Sequence, residues 1–138
     1  MMKKPLSLLV FFISSAVMII LLIFYIRLPS KQYKGWQQIS YRLENKNYRL
    51  LVAKNQSQWE QGLMYFRKLD GVNGMIFEFP DKQYRTFWNK NTYMNLKLYW
   101  LDDSKVVGIS DLPSIDKSGS IVTVSSPAPV NNVLELGQ

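Results

Sequence analysis

Residues Gly74–Asp102 read G-M-I-F-E-F-P-D-K-Q-Y-R-T-F-W-N-K-N-T-Y-M-N-L-K-L-Y-W-L-D. Three short apolar runs, Met75–Phe79, Tyr84–Trp88 and Leu96–Leu101, are parted by the polar breaks Pro80–Gln83 and Asn89–Asn95. Runs this short, rich in aromatics and bounded by Pro, Asp and Asn, predict consecutive β-strands. Alternation agrees: Met75, Phe77 and Phe79 fall on one face, as do Leu96, Leu98 and Trp100. Between the second and third runs lies a polar knot, Asn89-Lys90-Asn91-Thr92, directly after an aromatic pair.

Upstream, Ile39–Leu43 and Tyr48–Ala53 alternate about the polar turn Glu44–Asn47 and predict a hairpin. Ser57-Gln58-Trp59-Glu60 has the spacing of a capping box, which predicts a helix over about Gln58–Arg67. So short a helix needs a sheet to pack on. Downstream, Val106–Ile109, Ile121–Ser125 and Val133–Leu136 predict further strands, with a loop over Asp111–Ser120. The fold class is therefore mainly β, a sandwich or partly open barrel of about seven or eight strands with one short helix.

In front of this domain, Leu6–Ile26 is apolar except for Ser7, Ser14 and Ser15. As a helix it would be roughly 31 Å long, the hydrocarbon thickness of a bilayer. It is longer than the apolar centre of a cleavable signal, and Ile26-Arg27-Leu28-Pro29 offers no small-x-small site. The expected organisation is a transmembrane signal anchor over 1–28, a linker over 29–36 and a mainly-β domain over 37–138. Lys3 and Lys4 precede the run while Arg27, Lys31 and Lys34 follow it, so charge alone does not orient it. A long C-terminal domain translocates largely regardless of charge, which favours a single-pass protein with its domain outside the cytoplasm.

Composition narrows the chemistry. The 138 residues include no Cys and no His, which removes thiol nucleophiles, disulfides, common zinc sites and His bases. The formal charge is +7, but three of the 17 basic residues flank the apolar run, and the others are scattered. No basic stripe or motif points to nucleic acid. No spacing matches a calcium loop, so neither metal nor cofactor is expected.

Four ordered blocks carry a family likeness: Gly62-Leu63-Met64 with Arg67, Gly74-Met75-Ile76-Phe77 with Phe79, Phe87-Trp88-x-Lys90-Asn91-Thr92, and Val133-Leu134-Glu135-Leu136. From about Leu50 to the end, the chain resembles the prokaryotic family called domain of unknown function 192. The resemblance implies a small mainly-β domain, frequently exported or membrane-anchored, of unestablished activity. Three departures stand out. Asn89 occupies a position where the family has Met, Asn95-Leu96-Lys97 replaces Pro-Leu-Asp, and the family continues for one more strand beyond the Glu-Leu block.

The candidate ligand site is Arg67, Trp88, Lys90, Asn91, Thr92 and Glu135, with no catalytic residue assigned. Lys90 supplies a point charge, Asn91 and Thr92 supply oriented donors, and Trp88 supplies a platform, a set suited to an anionic or hydroxyl-rich ligand. A structural reading stands beside it: Asn91 and Thr92 bonding their own backbone in a turn, and Arg67 paired with Glu135. The function expected is a membrane-anchored envelope module that binds a small ligand, a glycan or an envelope protein. The alternative is a hydrolase using carboxylates and Lys90, where Glu78 and Glu135 are the acids within strand-like runs.

Overall fold

The order of the strands in space is not their order in the chain. A computed structural model describes residues 17–21 and 31–138. Residues 17–21 are helical, and the rest of the expected Leu6–Ile26 anchor lies outside the described residues. Among the described residues no helix is long and apolar enough to cross a membrane. Lys31–Tyr33 is a single 3-10 turn, and Gly35–Gln138 form one unit.

That unit holds eight strands: β1 (Gln37–Leu43), β2 (Lys46–Ala53), β3 (Gly74–Gln83), β4 (Thr86–Trp88), β5 (Leu96–Asp102), β6 (Lys105–Leu112), β7 (Thr123–Ser125) and β8 (Val130–Gly137). Six form a mixed sheet in the order β1-β2-β3-β8-β5-β6, whose ends β1 and β6 do not pair, so no barrel closes. β4 leaves this sheet to pair with β7 in a separate two-stranded one. The three central runs are thus strands, as expected, but not neighbours. β8 enters between β3 and β5, antiparallel to both. The physical reason is in its composition: Val133, Leu134, Glu135 and Leu136 are all buried, and a strand without a polar face must lie inside a sheet covered on both sides.

β2 and β3 run parallel, which demands a crossover. Its helix α1 spans Gln56–Gln61, shorter than the expected Gln58–Arg67. Asn55, not Ser57, is the N-cap: its side-chain oxygen accepts from the Gln58 amide at 3.1 Å, and the Ser57 hydroxyl donates to that same oxygen. Gly62 then takes φ of +48°, a turn that an L side chain adopts poorly, and the helix ends. Two other expectations are corrected. β3 continues through Pro80 to Gln83, with an irregular register against β8 between Glu78 and Gln83. The Asp111–Ser120 loop contains a second helix, α2 (Ile115–Ser118), capped by Ser114 and closed by Gly119 in the left-handed region.

Register assigns the two faces of the main sheet. Leu50, Val52, Ile76, Leu101, Leu134 and Leu136 join Leu43 in one core, flanked by Ile39, Tyr41, Tyr48, Tyr99 and Val106. Each such side chain, once fully buried, contributes about 1.5–3 kcal/mol. On the opposite face, Met75 and Leu98 flank Glu135, while Phe77 and Trp100 flank Val133. The β4–β7 sheet lies over this second face, where Phe87 meets Phe77 edge-on at 4.8 Å and Trp100 at 5.6 Å.

β3 and β8 approach closely beside Glu135. An alanine Cβ at Gly74 would lie 1.8 Å from the Glu135 carbonyl oxygen, a backbone atom that cannot swing aside. Gly74→Ala should therefore cost more than about 4 kcal/mol. Urea denaturation checks this; a variant within about 1 kcal/mol of wild type would contradict the register beside Glu135.

Candidate functional site

A cavity of about 410 Å³ opens between α1, the end of β3, β4 and the second face of the main sheet. Its wall is aromatic. The Trp59 indole donates to the carbonyls of Ala53 (3.0 Å) and Glu78 (3.1 Å), which locks the ring where it packs on Phe79 at 5.0 Å. Phe77, Phe87 and Trp88 continue the wall, and Leu63 and Met64 follow from the turn after α1.

Glu135 also lines this cavity. Only 4% of it is exposed. It sits between Met75 and Leu98, both fully buried, and its carboxyl has no hydrogen bond or ion pair among the described residues. Removal from water without a compensating charge penalises the carboxylate, so burial pushes its pKa up to about 8. Glu135 is therefore mostly the neutral acid at pH 7, held in an apolar setting.

Other polar groups on the cavity have partners of their own. Glu60, on the exposed rim, accepts a hydrogen bond from the Gln56 amide at 2.6 Å. Arg85 stacks over Phe79 at 4.0 Å and donates through Nη2 to the Asp81 carbonyl (2.9 Å) and carboxylate. Its Nε is buried without a partner among the described residues. Thr86 is bonded to Ser125 across the β4–β7 pair at 2.8 Å.

The structure divides the sequence-derived site. Trp88, Thr92 and Glu135 share the cavity. Lys90 instead reaches over the outer Trp88 ring at 5.1 Å. Asn91, with φ of +53°, turns its amide to the Tyr65 hydroxyl (3.0 Å), and the Thr92 hydroxyl donates to the Lys90 carbonyl (3.3 Å). The expected pairing of Arg67 with Glu135 does not form. Arg67 stacks on Tyr93 at 4.1 Å and lines a second cavity of about 530 Å³ with Tyr48, Lys97 and Leu136. Lys97, aligned with Leu136, pairs with Asp111 at 2.7 Å on the face opposite Glu135. Lys97 therefore lies away from the aromatic cavity.

Sequence reasoning left the cavity's aromatic wall, Trp59, Phe77, Phe79 and Phe87, out of the candidate site. It also read Asn89 only as part of the polar knot. Asn89 is fully buried: it donates to the Pro113 carbonyl (2.9 Å) and the Ser118 hydroxyl (2.8 Å) and accepts from the Val122 amide (2.8 Å). Its main-chain N–H bonds the Val122 carbonyl at 3.1 Å. This one side chain ties the knot to the loop carrying α2, where an apolar Met could make none of these bonds. The usable signal for Glu135 was a lone acid within an apolar strand, where charge has no outlet.

Two outcomes follow. Asn89→Ala strands several buried polar groups and should cost about 2 kcal/mol or more in chemical denaturation, while Lys90→Ala stays within about 1 kcal/mol. The folded Glu135 pKa of about 8 exceeds its ordinary value of 4.5. Between those limits the native state holds the extra proton, so stability falls as pH rises, by about 1.4 kcal/mol per unit, and levels off above. Denaturation of wild type and Glu135→Gln across this range checks the sign: the Gln variant should lack that slope.

A family model described as an uncharacterised family, DUF192, matches residues 39–138. No curated protein matches the chain. Among solved structures, a Sinorhizobium meliloti protein described as a candidate transcription regulator is 31% identical, with a TM-score of 0.58 over 74% of this chain and 79% of that one. A protein of unknown function from Novosphingobium aromaticivorans shares the fold at 19% identity and a TM-score of 0.54, over 79% of this chain and 86% of that one. With the family match spanning the strands that build both faces of the sheet, the chain belongs to the DUF192 family.

Proposed function

We propose that the β domain is a binding module for a small, largely apolar ligand, tethered to a membrane by Leu6–Ile26 with the domain on the extracytoplasmic side. The observation that carries the binding reading is Glu135. A carboxyl group without a partner, nearly buried at an aromatic cavity, costs stability and gives no packing benefit that a Leu or Met would not exceed. Such a group fits a site in which a ligand supplies the missing partner. The tether rests on the length and apolarity of the run.

The hydrolase alternative is less well supported. Glu78 is exposed and aligned with Asn132, on the opposite face of the sheet from Glu135, and Lys90 lies over Trp88. The S. meliloti relative's description would suggest a DNA surface. Here Lys68, Lys82, Arg85 and Lys97 are each paired with acids, which favours a small ligand over a polyanion.

The test is a set of four small probes, indole, benzyl alcohol, benzylamine and benzoate, added at millimolar concentration to the full-length protein in non-ionic detergent. At least one should raise the Tm by mass action, and amide NMR shifts should cluster at Trp59, Phe87 and Glu135. Shifts clustering at Arg67 and Lys97 would move the site to the second cavity, and no binding by any probe would overturn the reading.

A further inference from the structure

We propose that the aromatic cavity selects a protonated primary amine on a compact apolar or aromatic body, with the ammonium donating to Glu135 and the body against Trp59, Phe77 and Phe87. This rests on the binding reading above and names its ligand class. The cavity's electrostatics point one way. Aromatic faces are negative and attract cations, and this chain's own cations already use two of them, Arg85 over Phe79 and Lys90 over Trp88. The charge of Arg85 is offset by Asp81, and the remaining charged groups on the lining, Glu60 and Glu135, are carboxyls. A buried carboxylate becomes tolerable when an opposite charge with donors meets it inside the same apolar space.

Proton balance follows from the chemistry. The free site is mostly the neutral acid, and the amine arrives as an ammonium ion. Binding joins them as carboxylate and ammonium, and the Glu135 proton leaves to solvent. Several groups lie beside Glu135 in the sheet or on the cavity lining. β3 presents Met75 and β5 presents Leu98, α1 presents Glu60 at the rim, and the segment before β4 presents Tyr84 and Arg85. Glu135 is the group among them that begins protonated and ends charged. Its pKa of about 8 therefore sets the pH dependence. Below it, affinity for an amine should rise about tenfold per pH unit and then level off. A neutral or acidic ligand that accepts a hydrogen bond from the protonated carboxyl would show the reverse, weakening as pH rises through 8.

The experiment is isothermal titration calorimetry on the full-length protein in non-ionic detergent with benzylamine, benzyl alcohol and benzoate, at pH 6, 7 and 8. Two buffers of different ionisation enthalpy report the proton. Expected are tighter binding of benzylamine than of the alcohol or the acid, affinity rising with pH, and release of close to one proton at pH 6. In Glu135→Gln, benzylamine should fall to the level of benzyl alcohol and lose its pH dependence. If that variant does not fold, the wild-type pH slope and proton count decide alone. Benzyl alcohol or benzoate binding as tightly as benzylamine, or amine affinity falling with pH, would sink the amine assignment while leaving the binding site standing. Failure of all three probes would remove the amine assignment, and failure of indole as well would remove the binding reading.

Discussion

β8 is hydrogen-bonded along both edges and buried on both faces over Val133–Leu136, and the rest of the domain follows from covering it. β3 and β5 must flank it, so the strands that follow β3 in the chain cannot simply continue the sheet. β4 is displaced into a pair with β7, which then covers the face carrying Glu135. The other face is filled by the aliphatic cluster around Leu50, Val52, Ile76 and Leu134. Burying both faces of one strand thus creates the two layers and the cavity together.

The rings of the cavity are held by hydrogen bonds around them as well as by their own packing. The Asn89 side chain makes a set of hydrogen bonds that hold β4 against the 113–122 loop. Ser126 and Arg85 exchange bonds at the other end of the β4–β7 pair, with Arg85 N–H donating to the Ser126 hydroxyl at 3.0 Å and Ser126 N–H to the Arg85 carbonyl at 2.8 Å. Two short strands would be marginal alone. Anchored at both ends, they keep Phe87 and Trp88 in place, and the rings can stay apart enough to leave space between them. Glu135 then faces an aromatic hollow instead of a collapsed core, which explains how the fold tolerates an ionisable group there.

Individual strands were legible in the chain because period-two alternation is local: Tyr48, Leu50 and Val52, or Leu96, Leu98 and Trp100, declare their faces without reference to anything distant. The family likeness was legible for a similar reason, since its four blocks are short and ordered. The N-cap was misplaced because Asn55 and Ser57 are both good caps, and the choice between them depends on backbone entry from β2. The polar knot misled because Asn, Lys and Thr look alike on paper whether they face solvent or one another. Asn89 is buried and saturated, Asn91 is turned to Tyr65, and Thr92 reaches the Lys90 carbonyl.

The sequence by itself determined the class of fold, the absence of thiol and imidazole chemistry, and the conspicuous acid in an apolar strand. Each is a property of composition or of side chains two to four positions apart. Tertiary structure alone decided that β8 lies between β3 and β5, that Arg67 and Lys97 serve a different cavity, and that the Glu135 carboxyl has no partner among the described residues. Those outcomes depend on which strands pair across gaps of tens of residues, as Met75 does with Glu135. Such pairings are selected by burying the most apolar strand at the centre, a requirement of the whole chain that no local window contains.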